Sequence, residues 1–172
     1  MRPLSPRLRR DRHAGVRRGR DIEVASGVRF DVAPGAQLVL GDGCLIGEGA
    51  RIVVQAGRVE IGAEAVLCER CTLVAHSGVT IGAGAQLGHG AVIVDFDHGF
   101  ADVERPIRRQ ALRSAPVTIG EGARIGLGAS VLRGIEVGSW AIVDPRAVVT
   151  RDVPPGGHVG GVPAKPVADA AT

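Results

Sequence analysis

Aromatic residues are scarce in this chain, which has three Phe, one Trp and no Tyr among 172 residues. Ordinary globular cores rely on aromatic side chains because each buries a large apolar area, so a core of that kind is excluded. Yet 45% of the residues are hydrophobic, which excludes a chain that is disordered by composition. The core must be built from many Val, Ile, Leu and Ala residues, and this is typical of a repeat architecture.

Cysteines and long apolar runs are also few. Three cysteines without a pairing pattern favour a reducing compartment, so we expect a cytoplasmic protein. No apolar run reaches the length of a membrane span, and the early arginines are not followed by the apolar stretch of a secretory signal. We therefore expect no membrane span.

Positive charge is concentrated at one end of the chain. Residues 1–20 hold eight Arg and one Asp, whereas the formal charge of the whole chain is only +3. An Arg-rich arm can contact nucleic acid or acidic lipid, but solvated termini are commoner. We predict an Arg-rich disordered tail over 1–20, a single domain over 21–172 and no nucleic-acid partner.

Aliphatic residues recur with a period of six, which neither a helix nor an alternating strand produces. They form five triplets: Leu40/Ile46/Ile52, Ile61/Leu67/Leu73, Ile81/Leu87/Ile93, Ile119/Ile125/Val131 and Val137/Val143/Val149. A mostly small residue follows each aliphatic four positions later, and glycine often follows the first two members of a triplet but never the third. This superperiod of three predicts an all-β, three-sided parallel β-helix with five complete coils over about 38–154. A ragged coil is expected before them at 24–32.

One insertion interrupts the repeat. The fourth triplet begins at Ile119, about 20 residues later than the spacing requires, so an inserted loop is expected over roughly 95–116. It contains Phe96 and Phe100 on either side of His98. Long loops in compact repeat proteins are usually functional or disordered, and the local use of scarce aromatic residues favours function.

The repeat, the Asp97-His98 loop and the ending VTRDVPPGGHVGGVPAKPV resemble the left-handed parallel β-helix acyltransferases. The pattern is most similar to the galactoside, maltose and polysaccharide O-acetyltransferase branch, over roughly residues 38–167. The resemblance implies a homotrimer that binds acetyl-CoA as acyl donor in the cleft between neighbouring prisms. It also implies a saccharide or cell-envelope precursor as the small-molecule acceptor, and no metal.

The same resemblance implies roles for individual residues. His98 matches the loop histidine that acts as general base on the acceptor, and His76 falls where some members have an acidic acceptor-binding residue. We place Asp97 with His76 at the acceptor site. Asp97 either orients the His98 ring or only breaks the repeat as the chain leaves the prism. Contacts with CoA are implied for Cys68, Leu127, Pro145, Thr150, Arg151 and Lys165.

The spacing of two histidines in the repeat also predicts that they lie close together. His76 lies three residues after Leu73, and His98 lies five residues after Ile93, so both are expected at one corner of the prism, about one strand spacing apart. Imidazole titrates near neutral pH, as a general base requires. Two imidazoles at this corner could hold an acceptor hydroxyl between them. Cys68 and Cys71 are expected to point to opposite sides of the wall and not to share a zinc ion.

Three other functions remain open from the sequence. An N-acetyltransferase acting on an amino-sugar nucleotide fits the same motifs, whereas serine acetyltransferases lack an insertion of this type. A γ-carbonic anhydrase-like zinc enzyme would need His76, His89 and His98, whose spacing fits poorly. The third is a non-catalytic scaffold. It remains open because this chain has Val143-Asp144-Pro145-Arg146-Ala147 where family members often have Ile-Gly-Ala-Gly-Ser.

Overall fold

The chain folds into a solenoid of short parallel strands. A computed structural model describes residues 15–167, and within it three parallel sheets receive one strand from each of six turns. We call the corner between the second and third sheets the second edge, which contains residues 68–70, 127–128 and 145–146. The corner after the third sheet is the third edge, which contains residues 76–77, the insertion and residues 150–152.

The strands follow one another in the same order in every turn. In the first three turns they are β1 (Val16–Arg18), β2 (Glu23–Val24), β3 (Arg29–Val32), β4 (Gln37–Leu40), β5 (Leu45–Ile46), β6 (Arg51–Val54), β7 (Arg58–Ile61), β8 (Val66–Leu67) and β9 (Thr72–Ala75). The fourth turn and the insertion contain β10 (Gly78–Ile81), β11 (Gln86–Leu87), β12 (Val92–Val94), β13 (Phe96–His98), a 3₁₀ turn (Ile107–Arg109) and β14 (Leu112–Ser114). The last two turns and the end contain β15 (Val117–Ile119), β16 (Arg124–Ile125), β17 (Ser130–Val131), β18 (Glu136–Val137), β19 (Ile142–Val143), β20 (Val148–Val149), β21 (His158–Gly160) and β22 (Lys165–Pro166).

The register of the sheets confirms the predicted repeat. Equivalent aliphatic residues stack directly along the axis, as in Leu40↔Ile61, Ile61↔Ile81 and Ile81↔Ile119. All the repeat aliphatics are at most 2% exposed and fill the interior of the prism. Stacking buries apolar surface that no single turn could bury alone. The all-β, three-sided parallel β-helix with one insertion is therefore confirmed.

The small positions follow the prediction at two corners in every turn, but at the third edge only in the last two turns, where Ile135 and Val153 are buried. In the second and third turns Ala56 is exposed and Ser77 half-buried. The buried third-edge position is instead two residues after the aliphatic there, where Val54 and Ala75 lie. The third edge contains extra residues in these two turns, so the chain turns inward earlier than the six-residue spacing suggests.

The described solenoid begins earlier than predicted. Val16 to Arg18 pair in parallel with Leu38 to Leu40, so the predicted boundary of the tail at residue 20 is wrong. The segment predicted as a ragged coil is a regular first turn, because β2 and β3 pair with β5 and β6. The rest of the predicted tail, residues 1–14, and residues 168–172 lie outside the described part of the chain. No helix within residues 15–167 is long and apolar enough to cross a membrane.

Candidate functional site

The insertion is an ordered hairpin that leaves the solenoid at the third edge. Strands β13 and β14 pair in antiparallel register, with His98 opposite Leu112 and Asp97 opposite Arg113. The Gln110 side-chain amide donates hydrogen bonds to the main-chain carbonyls of Asp102 and Arg105, at 2.8 and 2.9 Å. One side chain thus holds the far part of the loop together, and the hairpin presents His98 at the surface.

The rings of His76 and His98 both pack against Phe96. The His76 and Phe96 ring centroids are 4.5 Å apart, and those of Phe96 and His98 are 6.1 Å apart with an edge-to-face arrangement. His98 is exposed, while His76 and Phe96 are half-buried. The structure therefore brings the two predicted histidines to the same corner, as their spacing indicates. Their shared contact with Phe96 is one that the spacing alone could not show.

Asp97 lies on the opposite face of β13 from Phe96 and His98. Successive side chains of a strand point to opposite faces, and Phe96 and His98 share one face of β13. Asp97 therefore faces away from the His98 ring, although the two residues are adjacent in sequence. The interpretation that Asp97 orients this ring is not supported by the geometry, because a strand here replaces the irregular loop expected from the sequence.

A buried carboxylate at the root of the hairpin was not predicted from the sequence. Asp95 is 0% exposed, and its oxygens accept hydrogen bonds from three successive main-chain amides. Oδ1 accepts from His76 at 2.8 Å, and Oδ2 accepts from Ser77 and Gly78, each at 2.6 Å. One signal could have found it, since a charged residue follows Ile93 at the repeat position that is Val54 and Ala75 in earlier turns.

The predicted contacts with the thioester end of CoA lie at the second edge. Cys68, Leu127 and Pro145 occupy this corner in the third, fifth and sixth turns, and the Arg146 amide donates to the Leu127 carbonyl at 2.8 Å. Leu127 is 46% exposed, so it offers an apolar surface to a ligand. Pro145 is also exposed but has no main-chain N–H to donate.

The thiols of Cys68 and Cys71 differ in burial, as expected. Cys71 is fully buried, its Sγ lies 3.2 Å from the Gly88 carbonyl oxygen, and burial raises its pKa to about 11. Cys68 is half-buried on the outer surface, and burial also raises its pKa, with a smaller contribution from Glu69. Both thiols are therefore protonated at neutral pH, and neither has the lowered pKa of a reactive nucleophile.

The predicted contacts for the distal part of CoA lie at the C-terminal end of the solenoid. Thr150 and Arg151 follow β20 at the third edge, and Lys165 is on β22; all three are exposed. Near them, the His158 Nε2 and Asp144 Oδ1 atoms are 2.7 Å apart. Asp144 stands where family members often have glycine, so this pair joins the sixth turn to β21 through a contact that was not predicted from the sequence.

The three histidines of the zinc-enzyme alternative are not assembled. His89 lies at the second edge, where its Nδ1 is 3.7 Å from a Glu69 carboxylate oxygen, whereas His76 and His98 lie at the third edge. Within residues 15–167, no group of three or more His, Cys, Asp or Glu side chains is arranged to hold a metal ion. The single chain thus offers no support for the alternative based on these histidines.

The third sheet separates the two predicted halves of the site. Cys68, Leu127 and Pro145 are on one side of this sheet, and His76 and His98 are on the other. A third-sheet strand of four residues such as β9 spans about 13 Å. One copy of the chain therefore displays both sets of residues but does not bring them into one pocket.

Comparison with known proteins identifies relatives of similar sequence. A protein described as a probable acetyltransferase of Mycobacterium tuberculosis is 32% identical over 147 residues, covering 85% of this chain and 49% of the relative. Nodulation protein L of Rhizobium meliloti is 40% identical over 109 residues, covering 62% of this chain and 57% of the relative. The chain thus spans about half the length of these relatives.

Solved structures share the fold. A crystal structure of a variant of AntD, an N-acyltransferase from Bacillus cereus, matches with a TM-score of 0.74 and 14% identity, covering 90% of this chain and 83% of AntD. That crystal contains coenzyme A and dTDP-4-amino-4,6-dideoxyglucose. No sequence-family profile matches the chain. The hexapeptide repeat, the three-sided solenoid and these relatives together make the chain similar in sequence and fold to the left-handed β-helix acyltransferases.

Proposed function

We propose that the protein is an acetyl-CoA-dependent O-acetyltransferase that acetylates a hydroxyl group of a saccharide or cell-envelope precursor. The observation that carries this proposal is the placement of His98 at the third edge, exposed on a hairpin, where it and His76 both pack against Phe96. An exposed imidazole can meet an acceptor hydroxyl and take its proton as that oxygen attacks the acetyl carbonyl. The C–S bond of the thioester then breaks, and His98 gives its proton to the departing sulfur, so CoA leaves as the thiol.

The acceptor side of the proposed site is made of His76, Phe96 and His98. Phe96 is half-buried in contact with both imidazoles and provides an apolar surface, and sugar rings commonly pack their C–H faces against such surfaces. His76 and His98 provide hydrogen-bonding groups beside it. The relatives support an acyltransferase, and the sugar nucleotide bound to AntD supports a saccharide as the class of acceptor.

The donor side is proposed at the second edge and the C-terminal end. The exposed Leu127 side chain and the half-buried Cys68 thiol suit the apolar pantetheine arm and the thioester. Arg151 and Lys165 are exposed cations that suit the anionic phosphates of CoA. Pro145 contributes ring contacts only, so any hydrogen bond to pantetheine must come from neighbouring main-chain groups.

We further propose that two copies of the chain form each site within a homotrimer. The residues proposed for the thioester end, Cys68, Leu127 and Pro145, lie on a different edge from the acceptor histidines. A cleft between two prisms can therefore contain both sets when the second edge of one copy faces the third edge of the next. The outer face of the third sheet also carries the half-buried residues Val74, Val92, Val94 and Val148. An apolar sheet face of this kind is suited to contact another subunit.

The assignment of His98 predicts a large loss of turnover without loss of the fold. We expect His98→Ala to lower kcat about 100-fold or more, because general bases contribute that much to proton transfer. Binding of CoA, measured by calorimetry, and the oligomeric state should remain as in the unmodified protein. The measurement is thiol release from acetyl-CoA with a panel of saccharides, amino-sugar nucleotides and serine.

The controls separate the base from the loop that carries it. Val103 is 96% exposed elsewhere in the insertion, and Val103→Ala should retain turnover. Full activity of His98→Ala with the best acceptor would refute the assignment of the base. If only amino-sugar nucleotides are acetylated, the reaction is N-acetylation, a form of the N-acyl transfer for which AntD is described.

A further inference from the structure

Asp95 is the only buried charged or polar residue of the described chain, and it lies beside the proposed acceptor site. An isolated carboxylate is costly to bury unless hydrogen bonds replace its water. Here both oxygens are used, by three main-chain amides that form charge-assisted hydrogen bonds of 2.6 to 2.8 Å. Three successive main-chain amides that donate to one side chain indicate that this carboxylate has a specific structural role.

The other turns show what the carboxylate replaces. At the third edge, the Ala33 amide donates to the Val54 carbonyl at 2.9 Å, and the Gln55 amide donates to the Ala75 carbonyl at 2.8 Å. The equivalent His76 amide donates instead to the Asp95 side chain, while the Asp95 carbonyl accepts from the Ala115 amide at the end of the insertion. Asp95 therefore continues the ladder of hydrogen bonds where the chain departs into the hairpin.

The same residue connects both histidines. Its side chain holds the main chain of His76, and one residue later the main chain continues as Phe96 to His98. The His76 ring rests on Phe96 at a centroid distance of 4.5 Å, so the orientation of this pair depends on both segments that meet at Asp95. A shift of residues 76–78 would move the His76 ring relative to Phe96 and His98.

We infer that Asp95 is a positioning residue, whose carboxylate fixes the turn at residues 76–78 so that His76 stays against Phe96 beside His98. This inference rests on the proposed function, in which the histidine pair receives the acceptor. Asp95 has no access to a ligand, because it is fully buried, so it acts only through His76. Its removal should therefore affect turnover and acceptor binding rather than the binding of acetyl-CoA.

Asp95→Asn tests the inference because it preserves shape but replaces one acceptor oxygen by an NH₂ group that faces amide donors. We expect kcat to fall about 10- to 100-fold, as small displacements in a catalytic site can cause, while KM for acetyl-CoA changes less than twofold. In NMR spectra of the same variant, the ring signals of His76 should change. Nuclear Overhauser contacts between the His76 and Phe96 rings should weaken.

Val54→Ala is the matched control, because Val54 is buried at the same repeat position of the third edge two turns earlier. It should lower thermal stability while leaving kcat and the His76 signals unchanged. Normal kcat and His76 signals in Asp95→Asn would overturn the inference. So would an equal fall of kcat in Val54→Ala, which would mean that any destabilisation of this edge is sufficient.

A second variant and a measurement on the unmodified protein cover a failure of Asp95→Asn to fold. Asp95→Ser retains one acceptor in a smaller side chain and should show the same selective loss. In the unmodified protein, the amides of His76, Ser77 and Gly78 should be strongly protected from hydrogen exchange, and rapid exchange there would overturn the inference. Neither the NMR spectra nor the exchange requires activity, so absence of acetyl transfer by the unmodified protein would refute the proposed function separately.

Discussion

At the scale of single residues, the abundant glycines serve two different physical purposes. A Cβ atom at Gly62 would lie 2.6 Å from the Ala83 nitrogen of the next turn, although the φ angle there is ordinary. Gly84 has a φ of +63°, and a Cβ atom there would have no neighbour within 4 Å, so this glycine serves backbone conformation alone. The glycine that follows the repeat aliphatic is therefore required by the close approach of turns, not by unusual backbone angles.

This distinction predicts different results for two alanine substitutions. We expect Gly62→Ala to lower the free energy of unfolding by about 3 kcal/mol, because its Cβ would overlap main-chain atoms that cannot move independently. Gly84→Ala should lower it by only about 1 kcal/mol, the penalty for a left-handed alanine in open space. Urea denaturation of both variants measures the difference, and equal effects would contradict the assignment of close packing at Gly62.

Asp95 shows the limit of prediction at this scale. The repeat correctly predicts that the aliphatic columns point inward, but the buried position two residues after Ile93 was not predicted, and Asp95 appears in the sequence as the first residue of an irregular insertion. Its partners are amides of residues 76–78, about one turn away in the chain, and amides have no signature in sequence. Only the fold brings these donors to the carboxylate.

At the scale of elements, the hairpin is the part whose internal structure could not be predicted. Its position at roughly 95–116 follows from the missing period, but the pairing of β13 with β14 does not. Once His98 is in a strand, Asp97 must face away from it, and this excludes the orienting role expected from adjacency. A residue next to a histidine in sequence is its spatial neighbour only when the local backbone permits it.

The hairpin should depend on Gln110 for its order but not for the stability of the prism. Gln110→Ala removes both hydrogen bonds to the Asp102 and Arg105 carbonyls and the one that its Oε1 accepts from the Asp102 amide, so local opening should become easier. We expect trypsin to cleave after Arg105, Arg108 or Arg109 about tenfold faster, since the loss of these exposed hydrogen bonds is worth about 1–3 kcal/mol. The melting temperature should stay unchanged.

Gln86→Ala provides the control for this experiment, because Gln86 is exposed on β11 in the wall of the prism. Its cleavage pattern and rate should equal those of the unmodified protein. If Gln110→Ala is cleaved no faster than Gln86→Ala, then Gln110 does not hold the loop. If the melting temperature falls, the hairpin contributes to the solenoid more than its contacts indicate.

At the scale of the whole molecule, the important feature is the distance between the two edges. The third sheet separates Cys68, Leu127 and Pro145 from His76 and His98 within one chain. The repeat predicts this arrangement in principle, since it assigns each residue to a side. The sequence cannot show how prisms pack against one another, because packing depends on the shapes of complete surfaces rather than on local periodicity.

Shared sites predict that two inactive variants restore activity when they assemble together. His98→Ala lacks the proposed base, and Leu127→Arg should block the proposed donor edge, so each alone should be inactive. After joint refolding of equal amounts, about one quarter of the sites in a randomly mixed trimer would combine two intact edges. Thiol release should therefore recover to about one quarter of the unmodified level.

A pair of variants altered on the same edge tests whether joint refolding restores activity without combining two intact edges. Joint refolding of His98→Ala with His98→Gln leaves no intact third edge and should give no recovery. If the mixture of His98→Ala and Leu127→Arg also stays inactive despite verified co-assembly, each site is contained within one chain. The proposal that neighbouring copies share the site would then be wrong.

The sequence by itself determined the three-sided solenoid, the inward aliphatic columns, the position of the insertion and the corner at which His76 and His98 meet. These features follow from periodicity, because every turn repeats the same local packing problem. The tertiary structure alone decided that both histidines pack against Phe96, that Asp97 faces away, and that Asp95 holds residues 76–78. Those contacts arise where the repeat is interrupted. There the conformation depends on hydrogen bonds and packing with groups that are distant in the sequence, because buried polar main-chain groups need partners.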